Sequence, residues 1–126
     1  MKLYLLIIFA TIMLYGCGTD ATGPDPEQNP ETFLITYYAT TLHSGQQFES
    51  TIRYLNEDTV LIEVDTLIYC STGWTYEFDV ISGDSLFISI STSWPDMTYV
   101  RIDVDGELVV SDYSETTYAS ASYKMP

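Results

Sequence analysis

At 126 residues the chain has room for one small domain and not two. Its 18 Asp+Glu against 4 Lys+Arg set the formal net charge at −14, which argues against gripping nucleic-acid phosphates or anionic lipid headgroups. A 46% hydrophobic and 14% aromatic composition supplies a packed core, while two cysteines and one histidine cannot make a disulfide framework and leave little for a zinc site.

Residues 1–17 read MKLYLLIIFATIMLYGC. Lys2 is followed by an apolar run, Leu3 to Leu14. As a helix this run would be about 18 Å long, too short for the ~30 Å hydrocarbon core of a bilayer. It suits the apolar region of a signal peptide. Leu14-Tyr15-Gly16-Cys17 resembles the bacterial lipobox, in which an aliphatic residue, a variable one and a small one precede an acylated Cys. That resemblance implies cleavage after residue 16, with Cys17 the acylated first residue of the mature chain. Stable anchoring follows, since each buried acyl CH₂ contributes about 0.8 kcal/mol and several chains outlast one.

Residues 17–32 form the acylated Cys and its tether. Gly18–Thr32 (GTDATGPDPEQNPET) holds three prolines, four acids and no large apolar residue. Such a segment cannot bury enough surface to offset its ordering entropy, so an extended linker reaching at most ~50 Å is expected. With Cys17 acylated, Cys70 has no internal partner. Its place at the end of an apolar run predicts a buried, inert thiol.

From Phe33 to Pro126 the apolar period is two. Val60, Ile62 and Val64 alternate with Leu61, Glu63 and Asp65. Trp74, Tyr76, Phe78 and Val80 alternate with Thr75, Glu77 and Asp79. Leu86, Ile88 and Ile90 alternate with serines, and Val100, Ile102 and Val104 with Tyr99, Arg101 and Asp103. This is the pattern of strands with one face inward and one wet. Asp105-Gly106 is a type I′ hairpin signal, because Gly accepts the positive φ such a turn requires. Asn56-Glu57-Asp58 and Ser82-Gly83-Asp84 are weaker turn signals. The expected strands are 33–40, 47–55, 59–69, 74–81, 85–92, 97–105, 107–112 and 117–124. Eight short antiparallel strands predict a sandwich of immunoglobulin type, or else an eight-stranded up-and-down barrel of lipocalin type with an interior cavity. Trp74, Tyr76 and Phe78 are the expected aromatic core.

Four segments follow one another in a recognisable order: Gly73-Trp74-Thr75-Tyr76-Glu77-Phe78, Gly83-Asp84-Ser85-Leu86-Phe87-Ile88-Ser89, Val100–Val109 (VRIDVDGELV) and Tyr118-Ala119-Ser120-Ala121-Ser122-Tyr123. They resemble the extracytoplasmic domain of the MmpS family, the small mycobacterial membrane proteins, and related bacterial lipoproteins. The resemblance covers about 73–123. It implies an immunoglobulin-like sandwich and an accessory role beside large envelope exporters. The chain departs from the family in carrying a lipobox Cys17 in place of an uncleaved membrane helix.

No catalytic constellation is visible, and no cofactor or metal motif. His43, the single imidazole, sits in a loop sequence, and no serine lies in a Gly-x-Ser-x-Gly setting. Asp103–Glu107 (DVDGE) hints at a calcium loop, but its Gly comes too early for an EF-hand and the hairpin turn explains it. Glu63/Asp65, Glu77/Asp79 and Asp103/Asp105 predict outward acidic rows that keep strand edges apart. Trp94, beside Pro95 in a loop sequence, and Tyr99 are the candidate contacts for a partner or ligand. The expectation is a lipid-anchored module of the cell envelope, outside the cytoplasm, that works by binding. Its partners would be the membrane, through the acyl anchor, and an envelope protein; the rival expectation is a small-ligand or glycan binder.

Overall fold

The computed structural model describes residues 29–42, 46–93 and 97–126. Cys17, His43 and Trp94 lie outside the described residues, as do the expected signal segment and most of the tether. Eight strands run in order: β1 (Thr32–Thr41), β2 (Gln47–Leu55), β3 (Leu61–Tyr69), β4 (Trp74–Ile81), β5 (Ser85–Thr92), β6 (Thr98–Val104), β7 (Glu107–Ser114) and β8 (Tyr118–Lys124). The turns form where their chemistry demands. Asp105 and Gly106 have φ of 50° and 81°, the two positive values of a type I′ hairpin. The Asn56 side chain accepts hydrogen bonds from the N–H groups of Asp58 (3.1 Å) and Val60 (2.9 Å), which folds the β2–β3 turn around it.

The strands make two antiparallel four-stranded sheets, β4-β1-β6-β7 and β3-β2-β5-β8. An up-and-down barrel would bond each strand to its successor around a closed ring. Among the eight described strands only β2–β3 and β6–β7 are sequential hydrogen-bonded neighbours, so the barrel expectation is corrected: the domain is a sandwich. The pairing is that of immunoglobulin-type domains. β1 lies beside β4 and β2 beside β5, as strands B and E, and C and F, do there; β3 lies beside β2 and β8 beside β5. The β6–β7 hairpin fills the position next to β1 that strand A takes in those domains.

The core sits between the sheets. Ile35, Tyr37, Ala39, Ile52, Ile88, Ile90, Val100 and Ile102 are fully buried. Each large aliphatic side chain there contributes about 1.5–3 kcal/mol by leaving water. These side chains occupy the space that a lipocalin-type cavity would need. Of the expected aromatic core, Phe78 is buried, whereas Trp74 and Tyr76 are half-buried because β4 is an edge strand. The centre belongs instead to Tyr37. Cys70 is half-buried in the turn after β3, a correction to the buried thiol expected from its apolar approach.

The two sides of the sandwich differ. On one, β8 packs against β6 and β7, and Asp112 Oδ2 accepts a 3.0 Å hydrogen bond from the Ser120 N–H across the sheets. On the other, the facing edges β3 and β4 hardly touch.

Candidate functional site

The expected contact residue Tyr99 lies on the outer face of the first sheet, where strand alternation places Tyr99 and Arg101 together. Antiparallel register then brings in their neighbours. Tyr38 of β1 pairs with Arg101, and Tyr99 pairs with Tyr113 of β7. The Arg101 guanidinium stands 5.0 Å from the centroid of the Tyr38 ring, a cation–π contact. The Tyr99 ring meets Tyr38 edge-on, with centroids 6.3 Å apart and planes at 61°. Tyr113 is exposed and donates its hydroxyl to Met97 Sδ at 2.9 Å.

Gly73 makes room for this arrangement. Its φ is +61°, and a Cβ there would stand 2.6 Å from the Tyr38 ring. The ring can therefore lie low across β4, with Arg101 beside it.

Asp103 departs from expectation. It is 8% exposed and not part of an outward acidic row. A register shift between Ile102 and Asp103 marks a β-bulge, and the carboxylate sits against Arg101, with Oδ2 3.4 Å from Nε. Arg101 Nε and Asp103 Oδ1 are both buried and make no hydrogen bond. The guanidinium is thus held by one ion pair and one ring, with 41% of its side chain still facing solvent. The acids Glu63, Asp65, Glu77, Asp79 and Asp105 are exposed as expected.

Chemically, this face presents ring surfaces, tyrosyl hydroxyls and one cation. Such a surface can hold a ligand by stacking and by hydrogen bonds. The spacing Tyr99-x-Arg101 was visible in the sequence. Tyr38 and Tyr113 could be added only once the register was known.

The outer face of the second sheet is more polar. A shallow groove of about 730 Å³ crosses it, lined by Glu49, Thr51, Asp65, Leu67, Ser91 and Ser93. Thr51 Oγ1 donates to Asp65 Oδ1 at 2.7 Å, and Arg53 Nε pairs with Glu63 Oε2 at 2.6 Å. The Glu63 carboxylate raises the Arg53 pKa by hydrogen bonding and charge. Among the described residues no three His, Cys, Asp or Glu side chains converge as a metal site would require.

The open side of the sandwich carries a third set of groups. Trp74 and Tyr76 of β4 stack at 6.2 Å with planes 14° apart, and Tyr54 leans on both at 5.2 and 4.8 Å. Tyr76 donates its hydroxyl to Glu57 Oε2 at 3.0 Å, linking β4 to the β2–β3 turn. That hydrogen bond raises the Tyr76 pKa.

The fold and these surfaces define a class: an all-β, two-sheet sandwich with an aromatic outer face. No protein-family model matches the chain. Over 111 residues, 86% of its length, it is 27% identical to one of the subunits of the NADH-quinone oxidoreductase of Parvibaculum lavamentivorans. The chain spans about half of that relative, 52% of its length. A likeness of that extent does not place the chain in the relative's family.

Proposed function

We propose that the chain is an acyl-anchored module of the bacterial cell envelope that works by binding, with the Tyr38–Tyr99–Arg101–Tyr113 face as its contact surface. Cys17 would carry the acyl chains, and residues 18–31 would hold the sandwich clear of the bilayer. The observation that carries the binding reading is the Tyr38–Arg101 stack: an aromatic ring and a half-exposed guanidinium share one sheet face in a strongly acidic chain. Tyr and Arg are the residue types that most often supply binding energy at protein contacts. The resemblance to MmpS-like domains supports a partner among envelope transport proteins.

Two measurements test this reading. Metabolic labelling with a palmitate analogue is expected to tag the wild-type chain and not Cys17→Ala. A photo-crosslinking residue at position 99 is expected to capture one envelope protein, while the same residue at Ser122, on the opposite sheet, captures none. Equal capture at both positions, or capture indifferent to Arg101→Ala, would overturn the proposed contact face.

A second reading is a glycan binder. It is favoured by the same rings, since Tyr38, Tyr99 and Tyr113 offer flat surfaces on which the C–H face of a sugar can rest. Glycan-array binding that is lost in Tyr99→Ala would favour it over a protein partner.

A further inference from the structure

The long unpaired edge at β3 points to a second contact, separate from the tyrosine face. Among the described residues β3 bonds to β2 alone, so one row of backbone N–H and C=O groups along its nine residues has no partner strand there. Exposed edges are normally short, bent, covered or charged. β3 is nine residues long, and its protection is the charge of Glu63 and Asp65, which repels other acidic strands. Its outward row reads Leu61, Glu63, Asp65, Leu67 and Tyr69, with Leu61 56%, Leu67 53% and Tyr69 48% exposed. Its inward row includes Ile62 and Val64, both half-buried, and faces the open side where Trp74 and Tyr76 are half-buried too.

The occupant can be read from these two rows. Inward positions of an added strand would reach over Ile62 and Val64 toward Trp74 and Tyr76, and so must be apolar. Outward positions would stand across from Glu63 and Asp65, two residues apart on one face, and so must be basic. Opposite charges across a strand pair stabilise, and like charges directly opposite destabilise. A second copy of this chain fails that test. The antiparallel register that pairs all nine residues sets Asp65 against Asp65 of the other copy, and two chains of −14 repel. β4, the other free edge on this side, is a poorer template. Its outward row, Thr75, Glu77, Asp79 and Ile81, holds a single apolar residue.

We propose that β3 accepts, by antiparallel strand addition, an extended protein segment in which apolar and basic residues alternate. Backbone hydrogen bonds to β3 give the affinity, and the Glu63–Asp65 pair selects the charge. The tyrosine face takes no part, so failure of the proposal above leaves this one standing, and the converse.

The test uses the full-length chain in detergent micelles and four synthetic nine-residue peptides: alternating Lys-Val, alternating Glu-Val, a Lys/Val peptide of the same composition in two blocks, and alternating Lys-Val with a central proline. The expected result is binding of the first alone, with amide hydrogen exchange slowed across residues 61–69. Glu63→Lys/Asp65→Lys, which also gives up the Arg53 ion pair and the Thr51 hydrogen bond on β2, is expected to weaken Lys-Val binding by about tenfold or more, as two reversed cross-strand pairs require. The same variant should now bind the Glu-Val peptide. Equal binding of the block and alternating Lys/Val peptides would overturn the proposal, since the acidic surface alone would then explain attraction. Protection that appears on β4 or β6 rather than β3 would overturn it as well. Because exchange is read on the wild-type chain, the test stands even where the double variant fails to fold.

Discussion

The Tyr37 hydroxyl oxygen accepts a 3.1 Å hydrogen bond from the Phe87 N–H, and this contact ties the two sheets together. The β2–β5 ladder runs only from Ser50 to Tyr54 on β2, where Tyr54 meets Ile88. Phe87, one residue further, therefore lies past its end. Tyr37, fully buried on β1, reaches across the core to supply the missing acceptor. Tyr37→Phe keeps the ring and removes that oxygen. A buried donor left unsatisfied costs about 1–3 kcal/mol, so the urea midpoint should fall accordingly. An unchanged midpoint would show that Phe87 finds another acceptor.

The same residue sets an alkaline limit. Burial pushes the Tyr37 pKa well above the ordinary tyrosine value, and the Phe87 hydrogen bond opposes that shift only partly. Tyr54 moves up by burial, and Tyr76 by its bond to Glu57. An unfolded tyrosine loses its proton near pH 10. Below that pH both states hold the proton and the contribution is intact. Above it the unfolded chain sheds protons that the folded chain retains, so stability falls as pH rises. Urea titrations at pH 8, 10 and 11 should give a midpoint that is flat and then declining, with a shallower decline in Tyr37→Phe. A midpoint rising above pH 10 would contradict the sign.

At Gly73 the outer face has no room for a single methyl group. Gly73→Ala places a Cβ at positive φ and against the Tyr38 ring, which must lift away. Backbone strain of this kind costs about 1–3 kcal/mol. The Arg101–Tyr38 stack should loosen with it. The expected outcome is a lower melting temperature together with a changed near-ultraviolet circular dichroism signal. A melting temperature equal to wild type would mean that the turn relaxes without strain.

Strand positions were legible because burial in this sandwich alternates residue by residue, and because Asp105-Gly106 and the Asn56 turn state their own geometry. The spans 47–55, 74–81 and 85–92 match β2, β4 and β5 end to end. Which strands pair was not legible: nothing local in β1 names β4 and β6 as its neighbours. That missing register explains the misplaced residues. Trp74 and Tyr76 have the right period for the core but belong to an edge strand. Asp103 has an outward position but lies at a bulge beside Arg101. Met125 follows the last strand with no periodic signal, yet it is buried, because its N–H donates to the Asp84 carbonyl at 2.9 Å and turns the chain end into the core.

Thr59 identifies a place where the chain is less stable than it could be. Its φ is 57°, a left-handed conformation that a β-branched residue adopts at a cost. Asn tolerates this region far better, and the side chain at 59 is exposed. Thr59→Asn should therefore stabilise the domain by about 0.5–1 kcal/mol, read as a higher urea midpoint with unchanged slope. A loss of stability would mean that the Thr59 hydroxyl, which donates to the Asp58 carbonyl at 2.7 Å, matters more than the strain.

Asp105 combines two tasks that separate variants can pull apart. Its backbone forms the hairpin with Gly106, while its carboxylate accepts the Leu34 N–H at 2.8 Å and its own N–H donates to the Leu34 carbonyl at 2.8 Å. The turn is therefore pinned to the start of β1. Asp105→Asn keeps both a left-handed preference and an acceptor oxygen, and should cost little. Asp105→Ala loses both. Removing a side-chain acceptor from a backbone N–H costs about 1 kcal/mol, and a non-Gly, non-Asn residue at positive φ adds to that. Hydrogen exchange at Leu34 should accelerate in Asp105→Ala and stay slow in Asp105→Asn. Equal exchange in the two variants would show that the turn holds β1 through its backbone alone.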